Sequence, residues 1–148
     1  WLSPARNGLM LATIAGSGVA VDTNRIVLIV EDDELVLESI DLHLSASDGY
    51  QTIRVQGASG ALSHMQTTPR IDVIVADVIL AGTMSGIELC RKSIEHHPAI
   101  AVVVITADPE VDRAEVPARG VFLRKPFGGE QLLEAIGTAL EKASLASV

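Results

Sequence analysis

Aromatic side chains make up only 3% of this 148-residue chain, so aliphatic groups must fill its core. A base-stacking sheet or an aromatic sugar platform is disfavoured for the same reason. Cysteine occurs once, at Cys90, which excludes a disulfide within the chain. A reducing compartment and a cytoplasmic location are expected. Positive charge is scarce: 11 Lys and Arg stand against 19 Asp and Glu, a net charge of −8. Such a surface repels phosphate backbones and argues against direct nucleic-acid binding. No run approaches the roughly 20 apolar residues of a membrane span, so no membrane contact is expected. The apolar segment 9–21 is short, is broken by Gly and Thr, and with Arg6 ahead of it bears a faint likeness to a signal peptide. The first residue is Trp1 rather than Met, so a fragment or a processed product is expected. Internal repeats and low-complexity segments are missing as well.

Aliphatic pattern is what the chain has in quantity. Apolar residues reach 48%, and 148 residues suit one compact domain. Residues 1–24 show no clear period and read as a tail or linker, which leaves residues 25–148 as the domain. Ile26-Val27-Leu28-Ile29-Val30 is an unbroken, largely β-branched run, as expected of a strand buried on both faces. Ile71-Asp72-Val73-Ile74-Val75-Ala76, Ile100-Ala101-Val102-Val103-Val104-Ile105 and Val121-Phe122-Leu123 repeat that pattern. Residues 50–55 alternate more, as an edge strand does. Between these runs, apolar residues recur at helical spacing: Val36, Leu37, Ile40 and Leu44; Ala58, Ala61, Leu62 and Met65; Ile87, Cys90 and Ile94; Leu132, Leu133, Ile136 and Leu140. Residues 109–118 are short and carry Pro117, so a single turn or an irregular segment is expected where a further helix would fall. Five alternations of strand and helix predict an α/β fold, a parallel sheet with helices on both faces.

Polar residues stand directly after the buried runs. Glu31-Asp32-Asp33 follows the first, Asp77 ends the third, Thr106 ends the fourth and Lys125 closes the fifth. Ligands of open α/β sheets bind outside the carboxyl ends of the strands, so this topology brings these groups to one rim. Carboxylates held together repel one another, and a divalent cation relieves the repulsion. Mg2+ suits one or two carboxylates plus a phosphate. Asp77 is then a plausible nucleophile toward phosphorus, with Lys125 and Thr106 placed to contact phosphoryl oxygens. Taken singly, Asp33 serves equally well as a helix cap, Thr106 as a strand end and Lys125 as a solvated charge. The joint pattern across four strands carries the functional reading. His43, His64, His96 and His97 pair with no Cys at metal spacing and read as surface residues.

The first run with Glu31-Asp32-Asp33, then Asp77, then Ile105-Thr106-Ala107, then Lys125-Pro126-Phe127 resembles the response-regulator receiver domain of two-component signalling. The resemblance covers about residues 25–142. It implies a flavodoxin-like sheet in the order 2-1-3-4-5, phosphorylated on Asp77 by a histidine kinase or a phosphotransfer protein in a phosphorelay. It implies a phosphoacceptor rather than an enzyme. Glu31 and Asp32 match the acidic pair that holds Mg2+, with Asp77 and the backbone carbonyl of Ile79 completing the protein ligands. Thr106 matches the switch hydroxyl, Lys125 the phosphate-contacting lysine, and Phe122 the aromatic residue that turns inward on activation. Ile79 and Asp108 flank the site and are placed to tune phosphoryl hydrolysis. The Lys125-Pro126 peptide is expected to be cis.

This chain departs from the family pattern at three places. Ala81 stands where a proline is usual. The loop Ala81-Gly82-Thr83-Met84-Ser85-Gly86 is one residue longer than the common form, as in receivers attached to sensor kinases. The interval from Thr106 to Lys125 is about three residues shorter, a deletion that falls on the fourth helix and on the usual output face. Trp1-Leu2-Ser3-Pro4 resembles the last strand of a histidine-kinase ATP-binding domain, so a hybrid kinase is one expected origin. Two other functions compete. A degenerate receiver would act as a docking module without phosphorylation. A haloacid dehalogenase-type phosphatase would need Asp-x-Asp after the first strand, where Glu31 now stands.

Overall fold

The β-branched runs form the strands that organise the molecule. The computed structural model describes residues 24–146. Its elements alternate: β1 (Arg25–Val30), α1 (Glu34–Ser45), β2 (Tyr50–Val55), α2 (Ala58–Thr67), β3 (Val73–Asp77), α3 (Gly86–His96), β4 (Ala101–Thr106), β5 (Val121–Arg124) and α4 (Gly129–Ala146). All strand pairs are parallel, in the order β2-β1-β3-β4-β5. This is the flavodoxin-like arrangement expected. The readings of residues 1–4 and of segment 9–21 lie outside the described residues.

Side chains alternate across each strand and divide the core in two. Val27 and Ile29 of β1, Val73 and Val75 of β3, and Val103 and Ile105 of β4 face α1 and α4. Leu28 and Val30, Ile74 and Ala76, and Val102 and Val104 face α2 and α3. Every residue of β3 and β4 is buried, while the edge strand β2 is half exposed. Each such Val, Leu or Ile contributes about 1.5–3 kcal/mol by leaving water. The predicted helical faces are the buried ones: Leu37, Ile40 and Leu44 in α1, and Leu132 and Ile136 in α4.

Strand bounds differ slightly from expectation. β3 starts at Val73 rather than Ile71, because the Asp72 carboxylate turns back to accept the Ile26 N–H at 2.7 Å. The segment between β4 and β5 contains one 3-10 turn, Arg113–Glu115, in place of a helix. Asp112 caps this turn, accepting from the Ala114 N–H at 3.0 Å, and its own N–H donates to Glu115 Oε2 at 2.9 Å. Of the histidines, His96 is exposed and His43, His64 and His97 are half-buried. His97 Nε2 lies 2.9 Å from the Met65 carbonyl, and the His43 ring packs against Gly129.

Candidate functional site

The carboxyl ends of β1, β3 and β5 carry two carboxyl groups and an amine into one buried cluster. Glu31, just past β1, is wholly inaccessible, and its Oε2 accepts the Asp33 N–H at 3.1 Å. Asp77, the last residue of β3, is 7% exposed. Its Oδ1 accepts the Ile79 N–H at 3.1 Å. Lys125 bridges the two carboxylates, donating to Asp77 Oδ2 at 2.7 Å and lying 2.8 Å from Glu31 Oε1. That second contact is an ion pair out of hydrogen-bond alignment, so Glu31 Oε1 is a buried oxygen with no directed donor. Asp32 is exposed, and carboxylate oxygens of Glu31, Asp32 and Asp77 lie within 4.8 Å of one another. An all-oxygen set with one under-satisfied buried oxygen fits a hard, hydrated cation such as Mg2+.

Electrostatics follow from this crowding. Burial pushes the Glu31 carboxyl above its ordinary 4.5, and the Asp77 charge acts the same way against the pull of Lys125 and the Asp33 N–H. Burial works to lower the Lys125 ammonium, but its hydrogen bond to Asp77 and the charges of Asp77 and Glu31 outweigh burial and hold the group above its ordinary 10.5. Both partners shift upward because Lys125 feels two anions, while at Glu31 burial outweighs the pull of that one ammonium.

Local structure explains the placement. Asp33 caps α1, its Oδ1 accepting from the Leu35 and Val36 N–H groups at 3.0 and 3.3 Å. The cap reading of Asp33 therefore holds. Thr106 is buried at the end of β4, and its hydroxyl accepts the Asp108 N–H at 3.0 Å. Among the described residues no hydrogen bond joins Thr106 to Asp77. Ile79 is 59% exposed. Phe122 is half-buried in β5, packed against the α2–α3 side of the core. The Lys125-Pro126 peptide is cis, as the resemblance implies.

Two residues important to the site escaped the sequence reading. Gly86 opens α3 beneath Asp77, and a Cβ there would stand 1.8 Å from the Asp77 carbonyl oxygen. Arg124 precedes Lys125, and its Nη1 donates to the Asp108 carbonyl at 2.8 Å. Each looks ordinary in sequence, as a loop glycine and a surface charge.

A five-stranded parallel sheet with a buried Asp–Lys–Glu cluster at its carboxyl rim defines a flavodoxin-like signalling module of receiver type. The model of the response regulator receiver domain matches residues 27–137, and the chain belongs to that family. It is 32% identical over 118 residues to the heme response regulator HssR of Staphylococcus saprophyticus, covering 78% of this chain and 51% of that protein. It is 36% identical over 117 residues to a cyclic di-GMP phosphodiesterase of Thermotoga maritima, covering 77% of this chain and 30% of that protein. The chain thus spans about half the length of the first relative and under a third of the second. A response regulator receiver protein from Sinorhizobium medicae superposes with a TM-score of 0.74 at 23% identity, over 81% of this chain and 97% of that one. The chemotaxis response regulator CheY4 of Vibrio cholerae gives 0.70 at 27% identity, over 80% and 100%. The chain is therefore a receiver domain of two-component signalling. Among the described residues no helix is long and apolar enough to cross a membrane.

Proposed function

We propose that Asp77 accepts a phosphoryl group from a phosphohistidine of a histidine kinase or phosphotransfer protein, within a domain spanning residues 25–148. The observation that carries this is the Lys125 ammonium, held 2.7 Å from Asp77 Oδ2 at a rim of buried carboxylates. An Asp77 oxygen attacks phosphorus, the P–N bond to the donor imidazole breaks, and its electron pair stays on that imidazole. Glu31, Asp32, Asp77 and the Ile79 carbonyl are the groups that would hold Mg2+. Bound there, the ion would offset the negative charge of the phosphoryl oxygens. Lys125 then turns from the Asp77 carboxylate to the new phosphoryl oxygens. The Thr106 hydroxyl exchanges its Asp108 N–H for the same group, and Phe122 fills the space released. These contacts exist in one state only, so phosphorylation shifts a pre-existing equilibrium. The domain positions its own phosphorylation and hydrolysis, with Ile79 and Asp108 at the flanks, and turns over no separate substrate.

The test is intact mass after incubation with acetyl phosphate and magnesium, beside Asp77→Asn. One acid-labile phosphoryl mass on the wild type, absent from the variant, is the expected result. No gain on either protein, together with no beryllofluoride binding, would overturn the reading and leave a docking module.

A further inference from the structure

The segment between β4 and β5 has no α-helix of its own to hold it against the sheet. Val111 and Val116 anchor it in the core, and arginine side chains tie its backbone from outside. Arg91 Nη2 reaches across from α3 to the Glu115 carbonyl at 3.2 Å. Arg124, at the end of β5, is the tie nearest the site. It pairs with Thr106 in the β4–β5 ladder. Its Nη1 donates to the Asp108 carbonyl at 2.8 Å and its Nη2 to the Val111 carbonyl at 3.3 Å. Its guanidinium carbon also lies 5.0 Å from the centroid of the Phe122 ring, within cation–π range. Asp108, gripped through its carbonyl, is the residue whose N–H occupies the Thr106 hydroxyl. One guanidinium therefore touches Phe122, the loop after β4 and the residue that holds Thr106.

We propose that Arg124 is a positioning residue that holds Thr106 and Phe122 in the resting arrangement, as a latch in the place of the shortened helix. The proposal rests on the phosphoacceptor reading of Asp77. For the Thr106 hydroxyl to leave Asp108, or for Phe122 to move inward, contacts of Arg124 must loosen. These contacts favour the resting state alone, so they set how readily the domain switches. A lysine would keep the charge but not the geometry, because only the planar guanidinium offers a rigid fork of donors aimed at two carbonyls.

The chain has only two phenylalanines, Phe122 and Phe127, so fluorine-labelled phenylalanine gives two resonances, which Phe127→Leu assigns. Wild type, Arg124→Ala and Arg124→Lys are compared by this signal, by exchange of the Asp108 amide, by the acetyl phosphate reaction and by urea midpoint. Arg124→Ala should move the unphosphorylated Phe122 resonance toward the beryllofluoride-bound position of wild type. It should expose the Asp108 amide and speed phosphorylation about two- to fivefold, the factor carried by one exposed cation–π contact. Arg124→Lys should fall between. The proposal is overturned if Arg124→Ala leaves the Phe122 resonance and the Asp108 amide as in wild type. It is equally overturned if phosphorylation slows in step with a falling urea midpoint, the mark of a merely structural role. Should beryllofluoride leave wild type unmoved, the phosphoacceptor reading fails separately. Amide exchange at Asp108 then still decides whether Arg124 holds the loop.

Discussion

The crossover from β3 to β4 and the crossover from β4 to β5 both return a chain to the same rim, yet they are secured by different chemistry. The first is fixed by a side-chain helix cap and by close main-chain approach. Ser85 caps α3 by accepting the Glu88 N–H at 3.1 Å, the Gly86 N–H donates to the Val78 carbonyl at 2.8 Å, and Gly86 presses on the Asp77 carbonyl. The second, residues 107–120, buries only Val111 and Val116 and is otherwise tied from outside by the side chains of Arg91 and Arg124. Main-chain packing leaves little room for adjustment, whereas exposed side-chain ties can release one at a time. The carboxylate that must stay in place thus sits on the rigid crossover, and the hydroxyl proposed to move sits beside the tethered one.

The sharpest break of this contrast is Gly86→Ala. The new Cβ would meet the Asp77 carbonyl oxygen at 1.8 Å and its carbon at 2.6 Å, both backbone atoms that cannot rotate away. A loss of about 3 kcal/mol or more is expected by urea denaturation, the upper end for overpacking. The surviving folded protein should gain no acid-labile phosphoryl mass, because Asp77 itself is displaced. A urea midpoint within error of wild type would refute the close approach.

Removing the central cation comes next. Lys125→Met leaves Glu31 and Asp77 facing each other without their ammonium. Breaking a buried pair costs about 3–5 kcal/mol, and the partial exposure of Lys125 reduces this to about 2–3 kcal/mol. The sign with pH follows from Glu31. Its carboxyl already sits above the ordinary 4.5 because of burial, and loss of Lys125 removes an opposing pull. A raised carboxyl takes its proton in the folded state first, so lowering the pH relieves the folded protein more than the unfolded chain. The gap between variant and wild type in urea, without magnesium, should therefore be wide near pH 8 and narrower near pH 5. In wild type, the share contributed by Lys125 is complete below its ordinary 10.5 and is lost only at higher pH. An equal gap at both pH values would sink this account.

These residues also mark how far the sequence could be read. β1, β3 and β4 were legible because burial on both faces demands unbroken aliphatic runs, and strand ends then placed Glu31, Asp77, Thr106 and Lys125 at one rim. The shortened segment was visible as missing length and as Pro117. Gly86 was not legible, because its requirement arises only when the Asp77 backbone arrives from another strand. Arg124 and Arg119 read as ordinary surface charge, yet Arg119 Nη2 reaches the Ile100 carbonyl at 2.7 Å, a contact between residues far apart in sequence. Long side chains that bond to carbonyls leave no periodic mark. Their partners are backbone atoms that every residue carries.

Gly120→Ala tests the tethered crossover by the same substitution that breaks the rigid one. Here the nearest atom to an added Cβ is a side-chain carbon, Val116 Cγ1 at 2.8 Å, and the nearest backbone atom, the Pro117 carbonyl oxygen, stands at 3.2 Å rather than 1.8 Å. The expected cost is about 1 kcal/mol, the lower end for overpacking, with phosphorylation retained. If Gly120→Ala cost as much as Gly86→Ala, the two crossovers would be equally rigid and the contrast would fail.

The smallest effect belongs to Arg91→Ala. Its bond to the Glu115 carbonyl is exposed, so urea stability should fall by less than about 1 kcal/mol. The informative readout is the neighbouring thiol. Cys90 is fully buried against the sheet, and burial pushes its thiol up to about 12. The thiolate is the reactive form, so a disulfide reagent should label native protein slowly and unfolded protein fast. Arg91 is also the one group lowering that thiol, so its loss can only suppress the thiolate further. Arg91→Ala should therefore speed amide exchange in the 3-10 turn while Cys90 stays as slow as in wild type or slower. Faster labelling of Cys90 would mean that the tie holds α3 to the core as well, and that the two crossovers are not independent.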